Sequence, residues 1–217
     1  MRIDIWSDIA CPWCYLGKRR LETALTAVAA RTGSSAEDVE VVYRSFQLDP
    51  SAPTVATETA QQMLARRYAM TQEQAAQAQA QVTALAAAEG MTWQHHKTVH
   101  ANTFDAHRLL HLAAELGCQA ELTEALMRAN FSEGRNLADH EVLREVAVTA
   151  GLPADRVVDV LTGDAYADAV RADIAQAAAY GATGVPFFVF DGRYGVSGAQ
   201  SVEVFEQVLG QVLAEAG

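Results

Sequence analysis

Hydrophobic and polar positions change period several times along the chain. Residues 2–7 alternate, with Ile3 and Ile5 set between Arg2 and Asp4, and a period of two predicts a strand. Ser7-Asp8-Ile9-Ala10 reads as a loop. From Cys11 the period lengthens: Cys14, Leu21, Leu25 and Val28 share one face of a helix that Gly33 ends. Residues 40–46, β-branched and aromatic, predict a second strand, and Asp49-Pro50 and Pro53 break the pattern. From about 55 to 150 the chain reads as helix. Ala, Gln and Glu dominate 56–89, and apolar stripes run through Leu109, Leu112, Ala113 and Leu116, then Leu122, Ala125, Leu126 and Ala129. Val142, Val146 and Ala150 form a third stripe, which Gly151-Leu152-Pro153 stops. A further helix is predicted over about 164–180, with Asp164 as its cap and Gly181 as its stop. Residues 186–190 then read as a short buried strand, Asp191-Gly192 as a hairpin turn and 194–196 as the return strand. Ser201 opens a last helix whose apolar side carries Val204, Phe205, Val208 and Val212.

The order strand-helix-strand, many helices, strand-strand-helix defines an α/β class. It is the layout of a thioredoxin fold with an inserted all-helical domain. The expected organisation is residues 1–52 and 151–217 for the two parts of the thioredoxin domain and 53–150 for the helical insertion.

Composition narrows the function classes. The chain has 217 residues, half of them hydrophobic and a fifth charged, which is a globular balance. Sixteen Lys and Arg against 27 Asp and Glu leave a net charge of −11. Such a chain is a poor partner for nucleic acid or an anionic membrane surface. No apolar run is long enough for a membrane span, and acids stand where a signal peptide needs its apolar region. A cytoplasmic location is therefore expected. Three cysteines are too few for a disulfide scaffold. Nothing in the sequence marks an oligomeric state.

The chemistry-bearing motif is Cys11-Pro12-Trp13-Cys14, placed where a strand gives way to a helix. A helix start offers unpaired N–H groups and the positive end of the dipole, both of which favour a thiolate at Cys11. Pro12 suits the first helical position, where its missing N–H costs nothing. Two intervening residues bring the sulfurs within disulfide reach and turn Cys14 onto the buried face. The pair fits a redox couple, half of a zinc site, or two incidental thiols. Zinc needs about four ligands and no second Cys-x-x-Cys exists, so redox chemistry is the favoured reading. No prosthetic group is then needed, and no metal is expected.

Gly184-Val185-Pro186 precedes the third strand, and beside a Cys-x-x-Cys and a hairpin it is where a thioredoxin fold carries a cis proline. His107 and His111 lie four apart on a predicted helix, as do His96 and His100. With no third ligand in sight, hydrogen bonding is preferred to metal binding. Asn102 and Asp105 resemble a capping box. The polar run Asn102–Arg108 also suits a wall of the substrate cleft opposite Cys11, which would make Asn102 and His107 substrate-binding residues. Cys118 reads as an idle thiol.

Longer segments carry a family resemblance. Residues 7–17 (Ser7-Asp8-Ile9-Ala10 through Cys11–Gly17), Phe46–Pro50, Asn102–Leu109, Phe131–Leu137, Gly184–Phe188 and Ser197–Gln200 together resemble the DsbA-like thioredoxin-fold oxidoreductases of the FrnE type, over nearly the whole chain. The resemblance implies a protein dithiol/disulfide oxidoreductase or isomerase. Cys11 would be the nucleophile, Cys14 the resolving thiol, Val185-Pro186 the cis-proline loop beside them, and Trp13 part of the substrate contact. Partners would be disulfide-containing proteins or small thiols, with glutathione as a candidate co-substrate. The kappa-class glutathione transferases and 2-hydroxychromene-2-carboxylate isomerases are similar in fold but carry serine in place of the first cysteine. Cysteine at position 11 favours the redox branch over a glutathione-dependent isomerase or transferase. A non-catalytic peptide-binding module is the remaining alternative.

Overall fold

Four strands form one sheet in the order β2-β1-β3-β4. In this computed structural model, which describes residues 1–33 and 39–216, they are β1 (Arg2–Ser7), β2 (Glu40–Ser45), β3 (Phe187–Phe190) and β4 (Tyr194–Ser197). β1 runs parallel to β2, through the crossover helix α1 (Pro12–Thr32), and antiparallel to β3. β3 and β4 form the hairpin, whose turn residues Asp191 and Gly192 have φ of 47° and 67°. Two consecutive left-handed residues match the twist of the flanking strands, which is why Asp-Gly serves there.

The alternation read in β1 decides what each face meets. Ile3 and Ile5 pack with Leu21, Ala24 and Val28 of α1 and with Phe205, Leu209 and Val212 of the last helix, α9 (Val202–Ala216). Trp6 points the other way, onto Ala177 of α8 (Ala167–Ala179) and Val189. Its indole N–H donates to the Asp173 carbonyl at 2.8 Å, so the buried ring leaves no polar atom unpaired.

Between β2 and β3 the chain is helical: α2 (Ala60–Arg67), α3 (Gln72–Ala88), α4 (Phe104–Glu115), α5 (Gln119–Phe131), α6 (His140–Thr149), α7 (Ala154–Thr162) and α8. Thr59 and Thr71 open α2 and α3 through capping boxes closed by Gln62 and Gln74. Leu109, Leu126, Leu143 and Val157, all fully buried, anchor the core that α4–α7 share. Ile9, from the loop after β1, plugs into this core and ties the sheet to it. The edge of β2 is covered as well: the Gln119 side chain accepts from Tyr43 N–H at 3.0 Å and donates to Tyr43 C=O at 2.8 Å, as a neighbouring strand would.

Two sequence expectations are corrected here. The helix expected over about 164–180 is α8, but the sequence reading leaves α7 (Ala154–Thr162) unassigned; Pro153 opens it, and Val157, Val160 and Leu161 give it an apolar face on the shared core. The break at Gly163 is held by Arg108, which donates to the carbonyls of Val160, Gly163 and Ala165. α8 then starts from Tyr166, at φ 63°, rather than from Asp164. His96 and His100 do not share a helix, since residues 95–97 form a single 3-10 turn. Among the described residues, no helix is long and apolar enough to cross a membrane.

Candidate active site

Cys11 is the residue before the first turn of α1. Its backbone is extended, Pro12 occupies the first helical position, and Cys14 and Tyr15 N–H groups close onto the Cys11 carbonyl at 3.1 and 3.3 Å. Both sulfurs are free thiols, and both residues are almost wholly buried, at 3% and 2% exposure. Cys11 alone of the two reaches a cavity of about 380 Å³. Cys14 lies behind it with Tyr15, Leu16, Trp93, Met127 and Phe131. Burial, reinforced by the adjacent Cys11 sulfur, pushes the Cys14 thiol well above its ordinary range, against a smaller pull from the Asp8 backbone N–H.

The Val185–Pro186 bond is cis, and the Cys11 thiol faces the Val185 carbonyl at 3.7 Å. Gly17 makes the close approach of α1 to this loop possible. A Cβ there would lie 3.1 Å from Pro186 Cγ and 3.2 Å from Phe188 Cζ. The closing segment is fastened to the same helix, with Arg20 donating to the Ala199 carbonyl at 2.8 Å and Gly198 N–H bonded to the Pro186 carbonyl at 2.8 Å.

Asp8 organises the opposite side. It is 2% exposed, and its carboxylate accepts from Leu48 N–H at 2.8 Å and Ala10 N–H at 3.2 Å, clamping the β1–α1 loop to the exit of β2. Beyond it, α2 and α3 supply the far wall through Met63, Leu64, Tyr68 and Val82. Trp13 and Tyr68 stand at the rim, 43% and 59% exposed. The cavity therefore joins a thiol to a largely apolar chamber with an aromatic lip, a form suited to organic ligands.

The sequence-assigned residues divide. Cys11 and Trp13 line the cavity, while Val185 and Pro186 flank Cys11 on the sheet side. Asn102 and His107 do not line it. Asn102 accepts from Phe104 N–H at 2.9 Å and donates to the Ala52 carbonyl at 3.1 Å, so its amide is used up in fixing the start of α4 to the segment after β2. His107, 1% exposed, is behind the wall with Nε2 3.5 Å from the Asp8 carboxylate. Asp105 does not complete a capping box with Asn102; it pairs with Arg108 at 2.8 Å and His140 at 2.9 Å. His111 bonds Ser45 and Asp173, each at 3.1 Å. No group of three or more His, Cys, Asp or Glu able to hold a metal occurs among the described residues. Cys118 sits at the start of α5, its thiol pushed up by burial and by Glu121.

Sequence reasoning missed His95 and the α2 residues of the cavity; His100, which it gave to hydrogen bonding, faces Glu58 and Asp49, each at 3.1 Å, and also lines the cavity. It also missed the cluster that locks α1 to α5. Lys18 is 4% exposed and bonds Glu124 at 2.5 Å and Glu22 at 2.6 Å, while the Tyr15 hydroxyl donates to Glu124 at 2.6 Å. Burial alone would raise the Glu124 carboxyl, but the Lys18 and Tyr15 hydrogen bonds and the nearby cations hold it below its ordinary range. One signal existed: Lys18 lies four residues after Cys14, on the apolar stripe, where an unpaired cation would be prohibitive.

This architecture is that of a family. The model of the DsbA-like thioredoxin domain matches residues 2–210, and the chain belongs to that family. The chain is 51% identical to a probable DsbA oxidoreductase from Streptomyces coelicolor. Its structure superposes with a TM-score of 0.92 over 99% of this chain and 91% of that one. The Bacillus subtilis (strain 168) protein YwbO is 26% identical over 211 residues, 96% of each chain. The cytosolic disulfide reductase DsbM from Pseudomonas aeruginosa, solved with GSH, shares the fold at 18% identity and a TM-score of 0.65, covering 99% of this chain and all of that one.

Proposed function

We propose that the protein is a thiol-disulfide oxidoreductase whose redox couple is Cys11 and Cys14. The observation that carries this reading is the asymmetry of the two thiols: Cys11, at the start of α1, opens onto the cavity, while Cys14 is enclosed behind it with its thiol form favoured. In this reading the Cys11 thiolate attacks a substrate disulfide, expelling one substrate thiolate and forming a mixed disulfide. Cys14 gives up its proton, attacks the Cys11 sulfur and releases the second substrate thiol. The protein disulfide that results carries the two electrons' worth of oxidation. A Cys14 that resists ionisation slows the second step, and a longer-lived mixed disulfide also permits rearrangement, the isomerase branch of the same chemistry. The Val185 carbonyl beside Cys11 offers a strand-like pairing site to an extended substrate. The work is done on the protein's own sulfurs, on protein disulfides or small thiols, glutathione among them, and in a reducing cytosol it runs as reduction or isomerisation.

Insulin reduction and refolding of scrambled ribonuclease test the reading. Cys11→Ser abolishes both activities. Cys14→Ser accumulates mixed disulfides with substrate, visible by mass spectrometry. Full activity in Cys11→Ser, or no adduct in Cys14→Ser, sinks the dithiol mechanism.

A further inference from the structure

The cavity beside Cys11 has one fixed cation among the described residues that line it: Arg67, at the last turn of α2. Its neighbour Arg66 is committed, with Nη2 2.6 Å from Glu58. Arg67 is not. Its contacts are long, 3.4 Å to the Asp49 carboxylate and 3.4 Å to the Leu48 carbonyl, and its side chain is 44% exposed. Asp49 does not depend on it. That carboxylate already accepts from the Ser51 hydroxyl at 2.6 Å and Ser51 N–H at 3.1 Å, and it faces His100 Nε2 at 3.1 Å. Asp8, the other acid on the wall, is held by two backbone N–H groups and faces His107 Nε2 at 3.5 Å. Arg67 can therefore turn to a new carboxylate without orphaning the old one.

We propose that Arg67 is the specificity-determining residue of the cavity, selecting thiols and disulfides that carry a carboxylate on a short chain from the sulfur, up to the length of a tripeptide. This rests on the thiol-disulfide reading and names its substrate class. The sulfur meets Cys11, the carbon skeleton lies along Met63, Leu64 and Val82, and the carboxylate takes the guanidinium as a forked, charge-assisted pair. Cys11 and Arg67 line the same cavity of about 380 Å³, which has room for one small molecule. Such a carboxylate belongs to a small acidic thiol or to an acidic residue beside a peptide cysteine, and the test separates the two.

Binding is measured calorimetrically with S-methylglutathione, which cannot exchange disulfides, and with its dimethyl ester, which lacks both carboxylates. Wild type binds the acid about tenfold more tightly than the ester. Arg67→Gln abolishes that ratio, and Arg67→Lys restores part of it. No discrimination by wild type in either this arm or the peptide arm below, or a discrimination left unchanged in Arg67→Gln, overturns the proposal, and neither result depends on turnover. A second arm uses short peptides with an S-methylated cysteine next to Asp or Asn. Discrimination there but not between acid and ester assigns the carboxylate to a polypeptide substrate; discrimination in the first arm alone assigns it to a small thiol. Circular dichroism melts of both variants identify any loss due to unfolding. Insulin reduction by wild type reports separately on the thiol-disulfide reading.

Discussion

Gly17→Ala and Gly210→Ala make the same chemical change in two helices with opposite surroundings. Gly210 lies on the exposed side of α9, and an added Cβ meets nothing within 4 Å. Replacing a helical glycine by alanine there should stabilise the protein by about 0.5–1 kcal/mol, from backbone entropy and helix propensity. Gly17 gains the same propensity term. Its new Cβ, however, would sit 3.1 Å from Pro186 Cγ, 3.2 Å from Phe188 Cζ and 3.5 Å from Ala199 Cα. The contact with Ala199 is ordinary, but the other two are tight and cannot yield freely: proline is a closed ring, and Phe188 is fully buried against Phe205. Overpacking of this kind costs about 1–3 kcal/mol. The net effect of Gly17→Ala is then a loss of about 0–2 kcal/mol, and the gap between the two variants is about 1–3 kcal/mol. For a chain of this size that gap is roughly 2–12 °C in Tm, read by urea titration and thermal melts at one pH. Because the strain falls on the loop facing Cys11, Gly17→Ala should also change the alkylation rate of Cys11, and Gly210→Ala should not. Equal stabilisation by both substitutions would refute the claim that α1 and the proline loop are packed to contact.

Burial pushes the His95 imidazolium down to about 4, so the folded protein resists a proton that the unfolded chain accepts near 6.5. The stabilisation is complete above about 6.5 and is lost as pH falls towards about 4, by at most about 3 kcal/mol. His95→Phe should flatten that part of the stability–pH curve, measured by denaturant midpoints; an unchanged slope assigns it to other groups. Arg108→Met should cost about 3 kcal/mol, since three carbonyls at the α7–α8 break lose a charged donor, with faster amide exchange at 160–167 as the local signature. Gln119→Leu leaves the Tyr43 N–H and C=O unpaired at the edge of β2 and should cost about 1–3 kcal/mol; a denaturant midpoint equal to wild type would show that water replaces the side chain.

What could be read from the sequence was local. The strands showed through alternation and β-branched runs, the hairpin through Asp-Gly, and the start of α1 through Pro12 and an apolar stripe that includes Cys14. Each depends on neighbours within a few residues, where backbone sterics and the 2.0 and 3.6 periods act directly. The same locality explains the thiol pair, because strand, proline and helix are contiguous there. The errors also follow from it. α7 went unassigned because its apolar face finds its partners on α4 and α6, and the break at Gly163 that separates it from α8 is held by Arg108, more than 50 residues upstream. Asn102 and His107 were placed on the cavity wall because a polar run at a helix start looks solvent-facing. Only the packed structure shows Asn102 turned onto the segment after β2 and His107 onto Asp8. The far wall of the cavity was beyond sequence reasoning altogether. Met63, Leu64, Arg67 and Tyr68 are unremarkable on their own helix, and they meet Cys11 only because the chain closes a loop of about 50 residues. That closure is held by the Asp8 clamp on the exit of β2, by the Thr59–Val99 bridge before α2 and by Val82 and Ala86 of α3 packed with Cys14 and Trp93, and no single stretch of sequence contains all three.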